Sequence, residues 1–323
     1  MKSVWLGRTG VEVSALCFGT MSFGGDADEA ESGRLYAACR DAGITFFDCA
    51  NIYAGGRSEE ILGRLMAGHR KELIITTKLG HDARPGPNGR GASRRHAMGE
   101  IEASLRRLGT DHVDVLFIHK FDPMTPLEEQ LRTMEDILRS GKALYLGASN
   151  FAAWQYAKAL GIAERQGWQQ IDVIQPMYSL VKRQAEVEIL PLAETEGLAV
   201  TNYSPIGAGL LSGKYAQGKR PEEGRLVSGN YYGIRYGQDW MYETAEQFTT
   251  LAQEMGVHPV SLAVAWTAAH PAITTPIIGA RNVEQLQPAL AAAAVDMDAA
   301  LYDRIAALSP KPPPPTDRLE EQT

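Results

Sequence analysis

Residues 46–59 read FFDCANIYAGGRSE, a short apolar run followed by a polar loop and the beginning of a helical pattern. The apolar run ends in Asp48, and the loop carries Tyr53. Two later apolar runs also end in a polar residue, the first in Lys78 and the second in His119. Because the carboxyl ends of neighbouring parallel strands meet at one edge of a sheet, we expect these four side chains to lie close together.

The pattern of an apolar run followed by a helix recurs along the chain. We predict strands at residues 16–20, 45–49, 73–78, 113–119, 142–148, 172–176, 198–203 and 274–278. Helical patterns lie at about 28–42, 93–108, 126–139, 150–165, 184–196, 241–255, 260–269, 282–294 and 298–308, and one more begins near Ser58. Strands without polar alternation that alternate with helices are typical of parallel sheets covered on both faces.

Eight such units predict an α/β fold, a single (β/α)8 TIM barrel. A doubly wound sheet is the alternative architecture. Such a sheet usually carries a GxGxxG motif after its first strand, and residues 19–24, GTMSFG, do not form that motif. The sequence therefore favours the barrel.

Three segments lie outside the repeating pattern. Residues 3–14 predict an N-terminal β-hairpin. Residues 215–240 predict a long loop after the seventh strand, which is typical of a lid or binding loop and carries Tyr231, Tyr232, Tyr236 and Trp240. We expect residues 1–309 to form the barrel and residues 310–323 to form a proline-rich tail that lies on the surface or is mobile.

Charge and composition narrow the class of protein. The 323 residues carry a formal net charge of −7, which argues against a protein built around nucleic-acid phosphates. Cys17, Cys39 and Cys49 are far apart and lack CxxC spacing, so we expect neither a disulfide framework nor a metal site. The sequence shows no secretory leader and no run of roughly 20 apolar residues, so we expect a cytoplasmic protein that does not enter a membrane. The oligomeric state stays open.

The four polar residues at the strand ends permit proton donation to a carbonyl group. Tyrosine has a reference pKa of about 10, and a cation such as Lys78 favours the phenolate. Asp48 can pair with Lys78 and compensate the burial of its ammonium group. His119 can donate a hydrogen bond to a carbonyl oxygen. None of the four can supply a hydride, so a cofactor must. Each residue alone has an ordinary structural explanation, and only their convergence favours catalysis.

These motifs resemble those of the aldo-keto reductase family, from Leu16 to Leu290. The resemblance lies in residues 47–59, in the run IITTK at 74–78 and in the run DVLFIH at 114–119 with Asp122. The resemblance implies a catalytic tetrad in which Tyr53 is the general acid, Lys78 and Asp48 tune it, and His119 orients the substrate carbonyl.

The same resemblance implies a nicotinamide cofactor. Residues 147–150 and Gln175 are similar to the family's contacts to the carboxamide, and residues 204–214 to the loop that covers the pyrophosphate. Residues 278–285 are similar to the segment that holds the adenosine 2′-phosphate, which favours NADPH, with NADH as the alternative. The implied cofactor contacts are Gly19, Thr20, Met21, Asp48, Ser149, Asn150, Gln175, Tyr203, Ser204, Pro205, Ile206, Gly209, Leu210, Lys214, Arg225, Gly279, Arg281 and Gln285.

The sequence does not specify the substrate beyond a small carbonyl compound or sugar. We expect the substrate pocket to be lined by Met21, Tyr53, His119, Phe121 and Met177. The chain looks most like the branch that contains potassium-channel β subunits and bacterial stress or sugar-alcohol reductases. A regulatory or sensor subunit that binds the cofactor is therefore an alternative to a reductase, although those channel subunits have asparagine where this chain has His119. An aldolase that uses Lys78 as a Schiff base is a third reading, which leaves residues 204–214 and Arg281 unexplained.

Overall fold

The computed structural model describes residues 1–215, 221, 224–228, 230–316, 318 and 320. An N-terminal hairpin comes first, in which β1 (Ser3–Trp5) pairs antiparallel with β2 (Glu12–Ser14). The other strands form one parallel sheet: β3 (Cys17–Gly19), β4 (Phe46–Asp48), β5 (Ile74–Leu79), β6 (Val113–Ile118), β7 (Ala143–Ser149), β8 (Ile171–Gln175), β9 (Ala199–Val200) and β10 (Ile277–Ile278). Both the hairpin and the eight parallel strands confirm the prediction.

Helices follow the strands in the predicted alternation. They are α1 (Glu29–Asp41), α2 (Arg57–Leu65), α3 (Arg94–Leu108), α4 (Leu127–Arg139), α5 (Ala153–Gln166), α6 (Ile189–Glu196), α7 (Arg225–Ser228), α8 (Asn230–Tyr236), α9 (Asp239–Glu254), α10 (Pro259–Ala269), α11 (Val283–Ala291) and α12 (Ala299–Ala306). The predicted long loop after the seventh strand thus contains two short helices, α7 and α8. Residues 310–316 form neither helix nor strand.

The sheet curls into a barrel. Its strand order is β10-β3-β4-β5-β6-β7-β8-β9. The two ends of this order are joined by backbone hydrogen bonds, since the Ile277 N–H donates to the Asn202 carbonyl at 2.9 Å and the Thr274 N–H donates to the Val200 carbonyl at 2.9 Å. These bonds bring the last strand against the seventh parallel strand, and the (β/α)8 architecture is confirmed.

The barrel interior is filled at its N-terminal end by apolar side chains. Inward-facing residues from several strands pack together with Leu6 and Val13 of the hairpin, and they are Cys17, Phe46, Val115, Phe117, Val173, Ala199 and Ile277. The hairpin contacts the beginnings of the strands, for example where the Tyr145 hydroxyl donates to the Thr9 carbonyl at 3.3 Å. The hairpin therefore closes the bottom, and only the C-terminal end of the barrel is left for a site.

Apolar side chains on the outside of the strands, such as Phe47, Leu116 and Ile174, are fully buried beneath the helices. Burial on both faces explains why the strands lack polar alternation. Among the described residues, every helix is too short or too polar to cross a lipid bilayer.

Substitutions of two glycines in the hairpin test how tightly the hairpin packs against the barrel. The φ of Gly7 is 55°, and a Cβ at this position would lie 2.8 Å from the Ala199 backbone nitrogen. Gly10 in the same turn has a φ of 73° but no atom within 4 Å of such a Cβ. We predict that Gly10→Ala lowers the free energy of unfolding by about 1 kcal/mol, and that Gly7→Ala lowers it by a further 1–3 kcal/mol, roughly, because of the steric conflict. Denaturant unfolding of both variants measures the difference, and equal losses would contradict close packing of the hairpin against β9.

Candidate active site

The four predicted catalytic residues lie at the C-terminal end of the barrel. Asp48 is the last residue of β4, Lys78 lies in β5, and His119 directly follows β6. Tyr53 begins a short 3₁₀ helix, Tyr53–Gly56, that precedes α2. Because side chains alternate along a strand, the inward positions above Phe46 and Thr76 are Asp48 and Lys78. The strand ends thus direct these polar groups into one space.

Lys78 and Asp48 form a buried ion pair. The Lys78 Nζ lies 2.5 Å from Asp48 Oδ2, and the two side chains are 0% and 5% exposed. Lys78 Nζ also donates to the Cys49 carbonyl at 2.8 Å and to the Tyr53 hydroxyl at 3.2 Å. Asp48 Oδ1 accepts hydrogen bonds from Thr76 Oγ1 at 2.8 Å and Gln175 Nε2 at 2.9 Å. Each buried charge is therefore fully partnered, which its burial requires.

These partners decide the protonation states of Lys78 and Tyr53. Burial by itself lowers the pKa of Lys78, but the charges and hydrogen bonds of Asp48 and Tyr53 outweigh it and raise that pKa above its usual range. Lys78 is thus an ammonium ion at all physiological pH values. Burial raises the pKa of Tyr53 to about 12, and the opposing effect of Lys78 is smaller.

The pKa of Tyr53 reflects two opposing effects, and Lys78 favours the phenolate as expected. Lys78 does act in that direction, but desolvation by burial is the larger effect. Tyr53 consequently holds its proton at neutral pH. The nearby ammonium is placed to stabilise the phenolate only once that proton has been given away.

His119 completes the cluster as a neutral imidazole. Its ring lies edge-on to Tyr53, with centroids 6.1 Å apart and an interplanar angle of 83°. Its Nδ1 is buried and has no hydrogen-bond partner among the described residues. Burial, followed by Lys78, His81 and Lys120, lowers the pKa of His119 to about 2. A neutral imidazole carries one N–H, so it can donate to a ligand oxygen without a positive charge.

Amide and hydroxyl groups continue from the tetrad along the barrel rim. Asn150 Nδ2 donates to the His119 carbonyl at 2.8 Å, and Tyr203 OH donates to Asn150 Oδ1 at 2.8 Å. Ser149 Oγ donates to the Gln175 carbonyl at 2.8 Å. This network links residues that lie at or just after the ends of four strands, β6, β7, β8 and β9. It presents both donors and acceptors to whatever lies above it.

A cavity of about 890 Å³ opens above the tetrad. Most predicted site residues line it: Gly19, Met21, Asp48, Tyr53, His119, Ser149, Asn150, Gln175, Tyr203, Ser204, Pro205, Ile206, Gly209, Lys214, Gly279, Arg281 and Gln285. The volume lies within the range of roughly 300–1,000 Å³ that is usual for small-molecule and cofactor sites. The chain thus brings these residues into one cavity, although their individual roles stay predictions.

Two predicted cofactor residues do not line the cavity. Thr20 is buried, and its hydroxyl donates to the Asp48 carbonyl at 3.1 Å, so it supports the strand end from behind. Leu210 is fully buried in the core. The side chain of a third, Arg225, lies outside the described residues.

Two predicted substrate-pocket residues also lie away from the cavity lining. Phe121 packs edge-on against Phe151 and Trp154, at centroid distances of 5.3 Å and 5.9 Å. Met177 Sδ accepts a hydrogen bond from the Tyr236 hydroxyl at 3.5 Å. Both side chains support the walls of the site through neighbouring aromatic residues.

Several lining residues were not predicted. They include Ile52, His81, Lys120, Tyr232 and Arg235. Lys120 directly follows His119, and His81 follows the end of β5 by two residues, so their positions after strands could have indicated them. Tyr232 and Arg235 could not be found in this way, because they reach the cavity from α8.

Cys49 lies beside Asp48 but is not a reactive thiol. It is fully buried, as are Cys17 and Cys39. Burial, reinforced by Glu59, raises the pKa of the Cys49 thiol to about 12. A thiol in this state is a poor nucleophile, and its role is to fill space.

The donor groups of the cavity fit a dinucleotide with an amide at one end and phosphates beyond it. Ser149, Asn150 and Gln175 supply amide and hydroxyl groups beside the tetrad, and Lys214 and Arg281 supply positive charge elsewhere along the cavity. Gly19 also lines the cavity, and a Cβ on it would come within 2.8 Å of the Ile277 side chain, so the position requires a glycine.

Comparison with known proteins shows the family of the chain. A model of the aldo/keto reductase family matches residues 15–310. The chain belongs to the aldo/keto reductase family. It is thus an oxidoreductase of a family that generally uses nicotinamide cofactors, as predicted.

The curated relatives of this aldo/keto reductase carry different names. A probable voltage-gated potassium channel subunit beta of Oryza sativa subsp. japonica is 39% identical over 87% of this chain and 88% of the relative. The uncharacterized oxidoreductase YrpG of Bacillus subtilis is 37% identical over 97% of both chains. L-glyceraldehyde 3-phosphate reductase of Escherichia coli K12 is 32% identical over 89% of this chain and 86% of the relative.

The depressed pKa of His119 predicts a pH-dependent stability. Below its unfolded pKa of about 6.5 the unfolded chain binds a proton that the folded chain, with a pKa of about 2, rejects. The wild type should therefore lose stability relative to His119→Asn as pH falls from 6 to 4, by up to about 1.4 kcal/mol per pH unit. Denaturant unfolding of both proteins across this range measures the difference.

Between pH 7.5 and 8.5 histidine is neutral in both states, so the difference between the two proteins should stay constant there. Stability curves that remain parallel down to pH 4 would contradict a buried neutral His119.

Proposed function

We propose that the protein catalyses NADPH-dependent reduction of an aldehyde, ketone or sugar carbonyl to the alcohol, or the reverse oxidation, with Tyr53 as the general acid. One observation carries the proposal. The Tyr53 hydroxyl, protonated at neutral pH, lies 3.2 Å from the ammonium of Lys78 beneath a cavity that His119 also lines. That arrangement is suited to giving a proton to an oxygen that gains negative charge.

A bound nicotinamide would supply the hydride that adds to the carbonyl carbon. Tyr53 would transfer its proton to the carbonyl oxygen, so that the C=O group gains one hydride and one proton and becomes an alcohol. Lys78 would stabilise the resulting phenolate, and Asp48 would keep Lys78 in place. The N–H of neutral His119 would hold the carbonyl oxygen toward Tyr53. Solvent would return the proton to Tyr53 before the next turnover.

The preference for NADPH over NADH rests on Arg281. This residue lines the cavity just before α11, whose N-terminus is closed by Asn282 through a hydrogen bond from the Gln285 N–H at 2.9 Å. A guanidinium beside a helix N-terminus favours a phosphate. Asp26 opposes this preference, because its carboxylate already pairs with Arg281 at 3.0 Å. A 2′-phosphate would have to compete with Asp26 for the guanidinium.

The geometry disfavours the two alternative functions, a Schiff-base aldolase and a regulatory subunit that binds the cofactor. Lys78 donates to three oxygens and remains charged, whereas a Schiff-base lysine needs a neutral amine. The rice relative is named as a channel subunit, but a function limited to cofactor binding would leave the partnered tetrad without a role. We further propose that the enzyme acts on small molecules in the cytoplasm, which fits its net charge of −7.

Replacing Tyr53 by phenylalanine tests the acid role. The variant should fold and bind NADPH, and its kcat for aldehyde reduction should fall by roughly 10²–10⁴-fold because the proton donor is lost. Tyr145→Phe is the matched control, since that hydroxyl lies at the closed end of the barrel and, among the described residues, donates its hydrogen bond to the hairpin carbonyl of Thr9. Steady-state kinetics with both variants make the comparison. Wild-type turnover by the Tyr53 variant would remove the general-acid role.

Replacing Asp26 by asparagine tests competition at Arg281. Freed from its partner, Arg281 should bind a 2′-phosphate more tightly, and the Kd for NADPH should fall by about two- to fivefold, as expected for a partly exposed ion pair. The Kd for NADH should not change. Glu29→Gln removes the same charge from an acidic residue that, among the described part of the chain, pairs with Arg57 and Arg64, so it serves as the control.

Fluorescence titration with both cofactors measures these constants. An equal shift for NADPH and NADH, or the same shift in the Glu29 variant, would show that Arg281 does not read the 2′-phosphate.

A further inference from the structure

Positively charged and ring nitrogen groups lie along or just behind the cavity, and the His81 ring lies beside His119 with centroids 5.4 Å apart. His81, Lys120 and Arg235 line the cavity together with Tyr53 and His119. The Arg235 guanidinium lies 5.8 Å from the Tyr232 ring centroid, and behind it the Lys182 ammonium lies 5.4 Å from the Tyr236 ring centroid. We refer to His81, Lys120, Lys182 and Arg235 as the basic rim.

The charges of the basic rim are not neutralised. Among the described residues, Lys120, Lys182 and Arg235 have no carboxylate oxygen within the 4.0 Å of a salt bridge. Two carboxylates line the cavity, of which Asp48 is held by Lys78 and Glu284 lies on α11 beside Arg281. Exposed arginines elsewhere are commonly paired, as Arg34 is with Glu31 and Arg94 with Asp136. The cations of the basic rim are therefore not held by carboxylates of the described residues.

The positive charges of the basic rim help to lower the pKa values of some of its own members and of His119. Burial and then Arg235 lower the pKa of Lys182. Burial and then Lys120 lower the pKa of His81, and Asp82 opposes them more weakly. His81 and Lys120 also add to the causes that lower the pKa of His119. An anion at this position would be attracted by all of these groups at once, in a chain whose net charge is −7.

Lys120 lies away from the groups that suit cofactor phosphates. Lys120 follows β6, and Arg281 follows β10. In the strand order β10-β3-β4-β5-β6 these two strands lie four positions apart in a barrel of eight, which puts them on opposite sides. Lys214 and Arg235 also line the cavity, and both belong to the chain between β9 and β10. Lys120 thus stands on the substrate side of His119.

We infer that the enzyme takes carbonyl substrates that also carry an anionic group, a carboxylate or a phosphate, which the basic rim binds while the carbonyl lies at Tyr53 and His119. The inference rests on the proposed function. Charge-assisted hydrogen bonds from lysine and arginine to such an anion are short and strong, and a partly enclosed cavity screens them less than bulk water does. The anionic group would fix the substrate so that its carbonyl oxygen meets the tetrad.

Pairs of aldehydes matched in carbon skeleton test the inference. With NADPH at low ionic strength, kcat/KM for succinic semialdehyde should exceed that for butanal by about tenfold or more. Glyceraldehyde 3-phosphate against glyceraldehyde provides the phosphate arm. A preference in either pair that declines with added sodium chloride supports the rim, and the arm that shows it identifies the anion.

Variants of the rim locate the preference. Lys120→Gln and Arg235→Gln should each lower the charged-to-neutral ratio of kcat/KM by about threefold or more. Lys158→Gln is the control, because this exposed lysine lies on the outer helix α5 and its loss should leave the ratio unchanged. An unchanged ratio in both rim variants would overturn the assignment.

Failure of the inference and failure of the proposed function look different in this experiment. Equal kcat/KM for charged and neutral aldehydes would overturn the basic rim as an anion subsite while leaving a working reductase. No turnover of any of the four aldehydes with NADPH or NADH would overturn the proposed reduction, and the anion subsite with it.

Discussion

An ammonium and a carboxylate meet inside the barrel at Lys78 and Asp48, and the rest of the site depends on this pair. Burying either charge alone would cost several kcal/mol. The cost is offset because several strands of the barrel supply partners, with Thr76 on β5 and Gln175 on β8 for Asp48 and the Cys49 carbonyl after β4 for Lys78. The barrel thus fixes a positive charge at one point, and the Tyr53 hydroxyl lies beside that point.

The barrel makes its two ends unequal. At the N-terminal end the hairpin places Leu6 and Val13 against the apolar interior and closes it. At the C-terminal end the inward positions carry polar groups, and the cavity opens above them. Tyr53 holds its proton because desolvation outweighs the cation, whereas His119 is neutral because burial and the nearby cations both lower its pKa. Both groups are therefore set up as donors before any ligand arrives.

Much of this arrangement could be predicted from the sequence because it depends on local pattern. The helix expected at 28–42 is observed as Glu29–Asp41. The four residues at the strand ends lie together because the carboxyl ends of the strands of a parallel barrel all lie at the same end. The strand expected at 198–203 forms a ladder only over Ala199–Val200, since Asn202 instead accepts from Ile277 and Tyr203 bridges to Met177.

The features that sequence reasoning missed depend on packing between distant segments. The pKa of Tyr53 follows from a balance between burial and charge that residue order does not reveal. Phe121 was expected in the pocket, but its ring is held by Phe151 and Trp154. Arg235 lines the cavity from α8, which is distant in sequence from the strand ends of the tetrad. Asp26 forms an ion pair with Arg281, although more than half of the chain separates the two residues.

The central claim is that the tetrad protonates a carbonyl oxygen while a nicotinamide delivers hydride to the carbonyl carbon. The most direct measurement uses NADPH that carries deuterium on one face of its nicotinamide C4, with an aldehyde substrate and analysis of the product by NMR. The account predicts an alcohol with one deuterium on its carbinol carbon when the label is on one face, and none when it is on the other. An alcohol without deuterium from either labelled cofactor would contradict it.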